Sequence, residues 1–336
     1  MLILVDESGT FARSAKRHSL SVVAALVVPE GVWPRILSKY SRLRRSLPKS
    51  AAGEVKGSLL SEAQFEAVAS VLRRSGVLAF AVVVDSSVYT EDDFLAHRQG
   101  FADSLIRGLP PDANPILIEN VHAHAASVLA MNEQLYTQAQ TMLRLAKSVV
   151  AFSIPYYSLR QPKALGAFDW TIDAKDLVIT DWETLWRSLA APLLQTFSIN
   201  DPLGLPEGGD FRYLSRFFME TPDYLEPHFP EHVTSRRGIN LTKIFFDSFR
   251  FSSETEPGLE LADLLANGIR RALVGHLQPS GWEQFAAMMI PREGFQLVKL
   301  GNGASVNSLP YIQQAQKFYL GGRVMLTPGY RRQVND

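Results

Sequence analysis

Cysteine is absent from the 336 residues. That excludes disulfides, cysteine–histidine nucleophilic pairs and thiolate metal sites, and a reducing cytoplasm suits such a chain. No apolar run approaches the roughly 18 residues of a membrane span, so no membrane partner is expected. The opening Met1-Leu2-Ile3-Leu4-Val5-Asp6-Glu7 has no basic stretch and carries acids in its apolar run, unlike a signal peptide. Neither charge sign is in excess: 34 Lys and Arg balance 34 Asp and Glu. A uniformly basic nucleic-acid coat is therefore excluded. Gly204 to Gly209 follow no phosphate-loop pattern, and Ser8 has no histidine at an interpretable spacing.

What is present is globular. Hydrophobic residues at 46% and charged residues at 20% rule out a disordered or fibrous chain. The length allows one large domain or two ordinary ones. Charge is uneven along it. Residues 1–60 hold ten Lys and Arg against four acids, and residues 201–260 hold six against eleven. A basic lobe on a neutral protein is a local phosphate-binding surface or a solvated helix face. The segment Trp33 to Leu47 places Arg35, Lys39, Arg42 and Arg45 opposite an apolar helical stripe.

Periodicity predicts strands at Leu2–Val5, Leu20–Val28 and Val77–Val84, the first two forming a hairpin. Ser61 and Gln64 predict a capping box that opens a helix. Further helices are expected at Thr90–Leu109, Ala126–Lys147, Asp181–Phe197 and Leu259–Val274. Further strands are expected at Pro115–Glu119, Val149–Ile154, Phe168–Asp173 and Leu241–Phe246. Residues 199–240, rich in Pro and Gly, predict an irregular insertion.

The carboxylates carry the functional signal. Asp6, Asp85, Glu119, Asp173 and Asp247 each close an apolar run, where a carboxylate faces water or a site. Several acids from one sheet can converge and hold divalent metal through oxygen ligands. Two such ions suit phosphodiester cleavage. Asp6 and Glu7 point to opposite strand faces, so Asp6 is favoured for the site and Glu7 and Ser8 are supporting or alternative groups. Glu54-Val55-Lys56 sets an acid and a lysine on one face if extended, and a solvated pair is the plainer reading. In Leu259 to Asn267, Glu260, Asp263 and Asn267 flank the buried stripe of a helix lined by small residues. An acid there needs a partner, either a metal or a salt bridge to Arg270 or Arg271. His122 and His124 share a face if extended and read as a surface turn rather than a transition-metal site.

Together, Asp6-Glu7-Ser8-Gly9, Glu54-Val55-Lys56-Gly57 and Leu259-Glu260-Leu261-Ala262-Asp263 resemble the domain-of-unknown-function 3800 family, which is similar to the ribonuclease H-like superfamily. The motifs span residues 1 to about 275. The resemblance implies an α/β fold, a ribonuclease H-like mixed sheet flanked by helices, with a helical insertion at about 90–165, the irregular one at about 199–240, and residues 276–336 as a C-terminal extension packed on the same domain. It implies Asp6, Glu54, Asp173 and Asp263 as ligands of Mg or Mn, with Lys56 beside them and Asp247-Ser248 in the segment before the final helix. Glu260 stands where the family usually has Gln and adds an acid near the site.

The expected function is a metal-dependent nuclease or phosphoryl-transfer enzyme acting on DNA or RNA, with the basic helix holding the backbone. A restriction-endonuclease-like Asp…Glu-x-Lys site is a second reading; a helix carrying a ligand at Leu259 to Val274 favours the first. A third is a non-catalytic nucleic-acid- or protein-binding module, as in a defence or mobile-element system.

Overall fold

The computed structural model describes residues 1–13, 19–109, 113–174, 203–220, 237–300 and 310–325, with scattered positions between 183 and 194. Most of the helix expected at Asp181–Phe197, and part of the expected insertion, lie outside the described residues.

Six strands form the main sheet: β1 (Leu2–Ser8), β2 (Leu20–Val28), β3 (Leu78–Asp85), β4 (Asp169–Asp173), β7 (Phe249–Ser252) and β8 (Phe295–Val298). Their spatial order is β7-β4-β1-β2-β3-β8. The β1–β2 and β2–β3 pairs are antiparallel, and β1–β4, β4–β7 and β3–β8 are parallel. Among the described strands of this sheet, only β2 therefore runs against the rest. A separate two-stranded ribbon joins β5 (Phe218–Glu220) to β6 (Arg237–Ile239), within the stretch expected to be irregular.

Each face of the sheet has its own core. Alternation sends Ile3, Val5, Val23 and Phe80 to one side, against α5 (Glu133–Ser158). It sends Leu4, Val22, Ala24 and Val83 to the other, against α1 (Trp33–Arg44), α2 (Glu62–Arg73) and α7 (Pro257–Leu273). Strands β2 and β3 are buried along their whole length, which is why both read as unbroken apolar runs. The remaining C-terminal elements, α8 (Pro279–Ala286), β8 and α9 (Ile312–Leu320), pack on the second face and its edge.

The hairpin, the three early strands and the final helix match expectation, and both halves of the Ser61–Gln64 capping box are made. Several expectations are overturned. Pro115–Glu119 opens α4 (Pro115–Ala130), because Asn114 accepts a hydrogen bond from the Leu117 N–H at 2.8 Å and Pro115 suits a first helical turn. Glu119 is thus on a helix and ends no strand. The single helix expected at Ala126–Lys147 is two, because Asn132 caps α5 by accepting from the Leu135 N–H at 2.8 Å. Val149–Ile154 continues α5 as a buried helix: a short apolar, β-branched run has the same signature in a buried helix and a buried strand. Leu241–Phe246 is α6, capped by Asn240, and the strand β7 follows it. His122 and His124 lie on α4, where positions two apart project about 200° from one another and share no face.

Candidate functional site

Because β1, β4 and β7 are parallel, their C-terminal ends fall along one edge of the sheet. Val5 pairs with Ile172, so Asp6 and Asp173 come side by side one step further on. Asp173 in turn pairs with Ser252 of β7. The alternation that turns Leu4 toward α7 also turns Asp6 that way, and Glu7 turns to the α5 face, where the Gln138 amide donates to it at 2.5 Å. Ser8 shares the parity of Asp6 at the strand end.

Helix α7 lies over this edge. Leu261, Leu264, Leu265 and Ile269 are buried beneath it, each worth about 1.5–3 kcal/mol of apolar transfer. Gly258 lets the helix begin against β1, since a Cβ there would sit 3.0 Å from the Leu4 side chain. The polar flank of α7 grips the loop that carries Glu54 and Lys56. Glu260 accepts from the Val55 N–H at 3.0 Å and Asp263 from the Gly57 N–H at 2.8 Å. Asn267 leaves no room for a Cβ on Gly57, the nearest approach being 2.6 Å, and Arg271 donates to the Gly57 carbonyl at 2.8 Å. The Glu54–Lys56 segment is an extended loop rather than a strand.

Five of the expected site residues thus meet at one edge: Asp6, Asp173, Asp263, Glu54 and Lys56. Their electrostatics divide them. Burial pushes the Asp6 carboxyl well above its ordinary range, and repulsion from Asp173 and Asp263 adds to this. Asp173 is raised to about 6, first by burial, against the pull of Lys56, with Asp263, Glu54 and Glu7 repelling its charge. Asp263 is raised by burial, partly offset by the Gly57 N–H and Lys56. Glu54 behaves oppositely: its hydrogen bond from Lys56 holds it below the usual range. The Lys56 Nζ is 2.8 Å from Glu54, and the Thr255 hydroxyl donates to Glu54 at 3.0 Å. Burial pulls the Lys56 ammonium down, but Glu54 and the field of Asp263 and Asp173 keep it raised.

Asp6 is 7% exposed and accepts one hydrogen bond, from the Glu7 N–H at 2.6 Å. The Asp173 side chain has no hydrogen-bond or ion-pair partner among the described residues. Carboxylate oxygens are hard donors, the type that a divalent cation such as Mg or Mn takes. As the side chains stand, no three acids or histidines among the described residues close on one point.

Other expected residues are placed elsewhere. Glu260 is buried at 5% exposure and fully engaged. Besides the Val55 N–H, it accepts from the Tyr40 hydroxyl at 2.9 Å and from Arg44 at 2.7 and 2.6 Å. It is a strut joining α1, α7 and the loop, with no oxygen left for a cation. Its salt bridge runs to Arg44, not to Arg270 or Arg271. Asp247 caps the end of α6 and pairs with Arg216 at 3.0 Å. The carbonyl of Ser248 accepts from the Trp170 N–H, at the start of β4. Both therefore lie at the opposite edge of the sheet, roughly 13 Å of strand from Ser252. Asp85, another strand-end acid, accepts from Tyr311 and Ser87. Arg35 and Arg42 on α1 and Arg45 at its C-terminal cap are exposed, and Lys39 is half-buried. The C-terminal end of α1 is tied to the site through Arg44, which leaves Arg35 about 14 Å further along the helix.

Sequence reasoning missed Tyr40, Arg44 and Thr255. The first two had a signal: they are four apart and share a helix face. An open groove of about 1,040 Å³, lined by residues including Pro29, Val32, Lys163 and Tyr213, includes none of these acids.

Comparison with family models, with curated proteins and with solved structures gave no match for this chain.

Proposed function

We propose that the protein is a metal-dependent nuclease or phosphoryl-transfer enzyme of ribonuclease H-like fold. The observation that carries this is the meeting of Asp6, Asp173 and Asp263 at one sheet edge, half-buried or buried, mutually repelling and, for Asp6 and Asp173, without a cationic contact. Uncompensated carboxylates in a poorly solvated place cost several kcal/mol, a cost that a bound cation offsets. The sheet order β3-β2-β1-β4-β7, with β2 alone reversed, supports the fold, and acids on the first strand, the fourth strand and the final helix are consistent with it.

Asp6, Asp173 and Asp263 would hold Mg or Mn, with Glu54 able to join them on leaving Lys56. The metal supplies a Lewis acid that activates water and stabilises the leaving oxygen of a phosphodiester. Lys56, already positive and partly shielded, offsets charge on the phosphate. Gly57, clamped by α7, fixes the distance between the loop and Asp263. Arg42 and Arg45 offer salt-dependent contacts to a nucleic-acid backbone.

The test is calorimetric titration of Mn²⁺ into the wild type and the Asp6→Asn, Asp263→Asn double variant, followed by cleavage assays on DNA and RNA. Binding and cleavage lost together in the variant support the reading. Metal binding with no cleavage of any substrate points instead to the non-catalytic module.

A further inference from the structure

The connection from β7 to α7 is closed by a clasp of three side chains. Ser252, the last residue of β7, is 6% exposed, and its hydroxyl donates to the Glu256 carboxylate at 2.6 Å. Arg250, two residues earlier, donates to both oxygens of that carboxylate, at 2.5 and 2.6 Å. Residues two apart on a strand share a face, so one carboxylate takes both. Glu256 is also the N-cap of α7, and its carbonyl accepts from the Glu260 N–H at 2.9 Å. Pro257 follows in the first helical turn, where its fixed φ suits the start of a helix. The Arg250 guanidinium holds the Glu256 carboxyl below its usual range. With both oxygens taken by Arg250, Glu256 is not itself a candidate ligand.

Each end of the clasp leads to an acid of the sheet edge. Ser252 pairs in register with Asp173 of β4, and the Ala174 N–H donates to the Ser252 carbonyl at 2.9 Å. Glu256 opens the helix that bears Asp263 two turns later, about 10 Å along its axis. Between them, the Thr255 hydroxyl donates to Glu54 at 3.0 Å. The short connection from Ser252 to Glu256 thus joins the elements that carry Asp173, Asp263 and Glu54. The Arg250 side chain is 53% exposed, and an ion pair so open to water adds little to global stability. A guanidinium fork on a carboxylate does fix direction as well as distance. Its effect therefore falls on the path by which the chain leaves β7 and enters α7, and so on the place of Asp263 relative to Asp173. Groups that orient metal ligands from behind typically change metal affinity by about 10–100-fold.

We propose that the Arg250–Glu256–Ser252 clasp positions the acidic edge, setting the separation of Asp173 and Asp263 at which a divalent cation is bound. Arg250 and Glu256 are positioning residues and touch no metal. The proposal rests on the reading of this edge as a metal site.

The test is calorimetric titration of Mn²⁺ into the wild type, Arg250→Met and Arg250→Lys, with thermal melts of each metal-free protein. Arg250→Met is expected to bind Mn²⁺ about tenfold or more weakly, while its melting temperature stays within about 2 °C of the wild type's. Arg250→Lys keeps the charge but not the fork, and is expected to fall between the two. Arg212→Met is the control. It breaks another exposed bidentate pair, with Asp210 at 3.0 and 2.7 Å, beside the groove at the far end of β1, and should leave Mn²⁺ affinity unchanged. Wild-type binding that is unaltered in both Arg250 variants would overturn this proposal and leave the metal reading standing. An equal loss in Arg212→Met, or a loss in the Arg250 variants matched by a fall of several degrees in melting temperature, would also overturn it. Absence of Mn²⁺ binding in the wild type would remove the metal reading and the proposal together.

Discussion

Asp263 accepts the backbone N–H of Gly57 at 2.8 Å. This one bond ties the last acid of the chain's motifs to the loop that carries Glu54 and Lys56. It also explains the glycine. Asn267, one helical turn beyond Asp263, fills the space a Cβ would need, and Arg271, a turn further, takes the Gly57 carbonyl. Three turns of one helix thus read a single residue.

Gly57→Ala is therefore expected to destabilise the protein by about 1–3 kcal/mol through overpacking, and to weaken any Mn²⁺ binding with it. Gly31→Ala, where a Cβ meets nothing within 4 Å, is the control and should stay within about 0.5 kcal/mol. Urea denaturation of the two variants measures the difference.

Removing one side of the Glu260 strut leaves the other buried. Arg44→Ala strands the Glu260 carboxylate with only Tyr40 and the Val55 N–H. The expected loss is about 3–5 kcal/mol, as for other broken buried pairs. Glu260→Gln keeps one acceptor oxygen, enough for the Val55 N–H or the Tyr40 hydroxyl but not both, since these meet different carboxylate oxygens, and with no charge left buried it should cost less than Arg44→Ala. Equal losses in the two variants would show that the charge of Glu260 is not what α1 holds.

The pH dependence follows from acids raised in the folded state. Asp173 takes up its proton at about 6 when folded against an ordinary 3.8, and Asp6 and Asp263 are raised too. Between these pH values the folded state binds more protons than the unfolded one, so stability falls as pH rises. The metal-free protein should lose melting temperature from pH 4 to pH 6.5 on account of these groups. Asp173→Asn should flatten that slope and raise stability at pH 7. Mg²⁺ should stabilise at pH 7 and have little effect at pH 4.5, where the carboxyls are protonated. Differential scanning calorimetry across this range, with and without Mg²⁺, reads all three.

For activity, Asp6→Asn and Asp263→Asn are each expected to lower cleavage by on the order of 100-fold or more, the scale on which loss of one electrostatic group at a reacting centre registers. Asp247→Asn, at the far edge of the sheet, should leave the rate unchanged. A loss in Asp247→Asn equal to that in Asp6→Asn would remove the site from the edge at which β1 and β4 end.

The sequence by itself determined the first three strands, the Ser61–Gln64 cap and the final helix. In each, the hydrophobic period or a side-chain cap is local and needs no partner to be legible. It also marked Asp6 and Asp173 as acids that close apolar runs, and Asp263 as an acid beside the buried stripe of the final helix. Only the tertiary structure decided which of those acids meet. Asp6, Asp173 and Asp247 look alike along the chain, but parallel pairing of β1, β4 and β7 puts the first two at one edge and the third at the other. The same holds for Val149–Ile154 and Leu241–Phe246, whose apolar runs suit a buried helix and a buried strand equally until long-range packing and the caps at Asn132 and Asn240 choose. Glu260 and Asp263 sit three apart on one helix, yet Arg44 and Tyr40, over 200 residues away in sequence, turn one into a strut and leave the other facing the acids. Charge compensation is a property of neighbours in space, and spacing along the chain does not encode it.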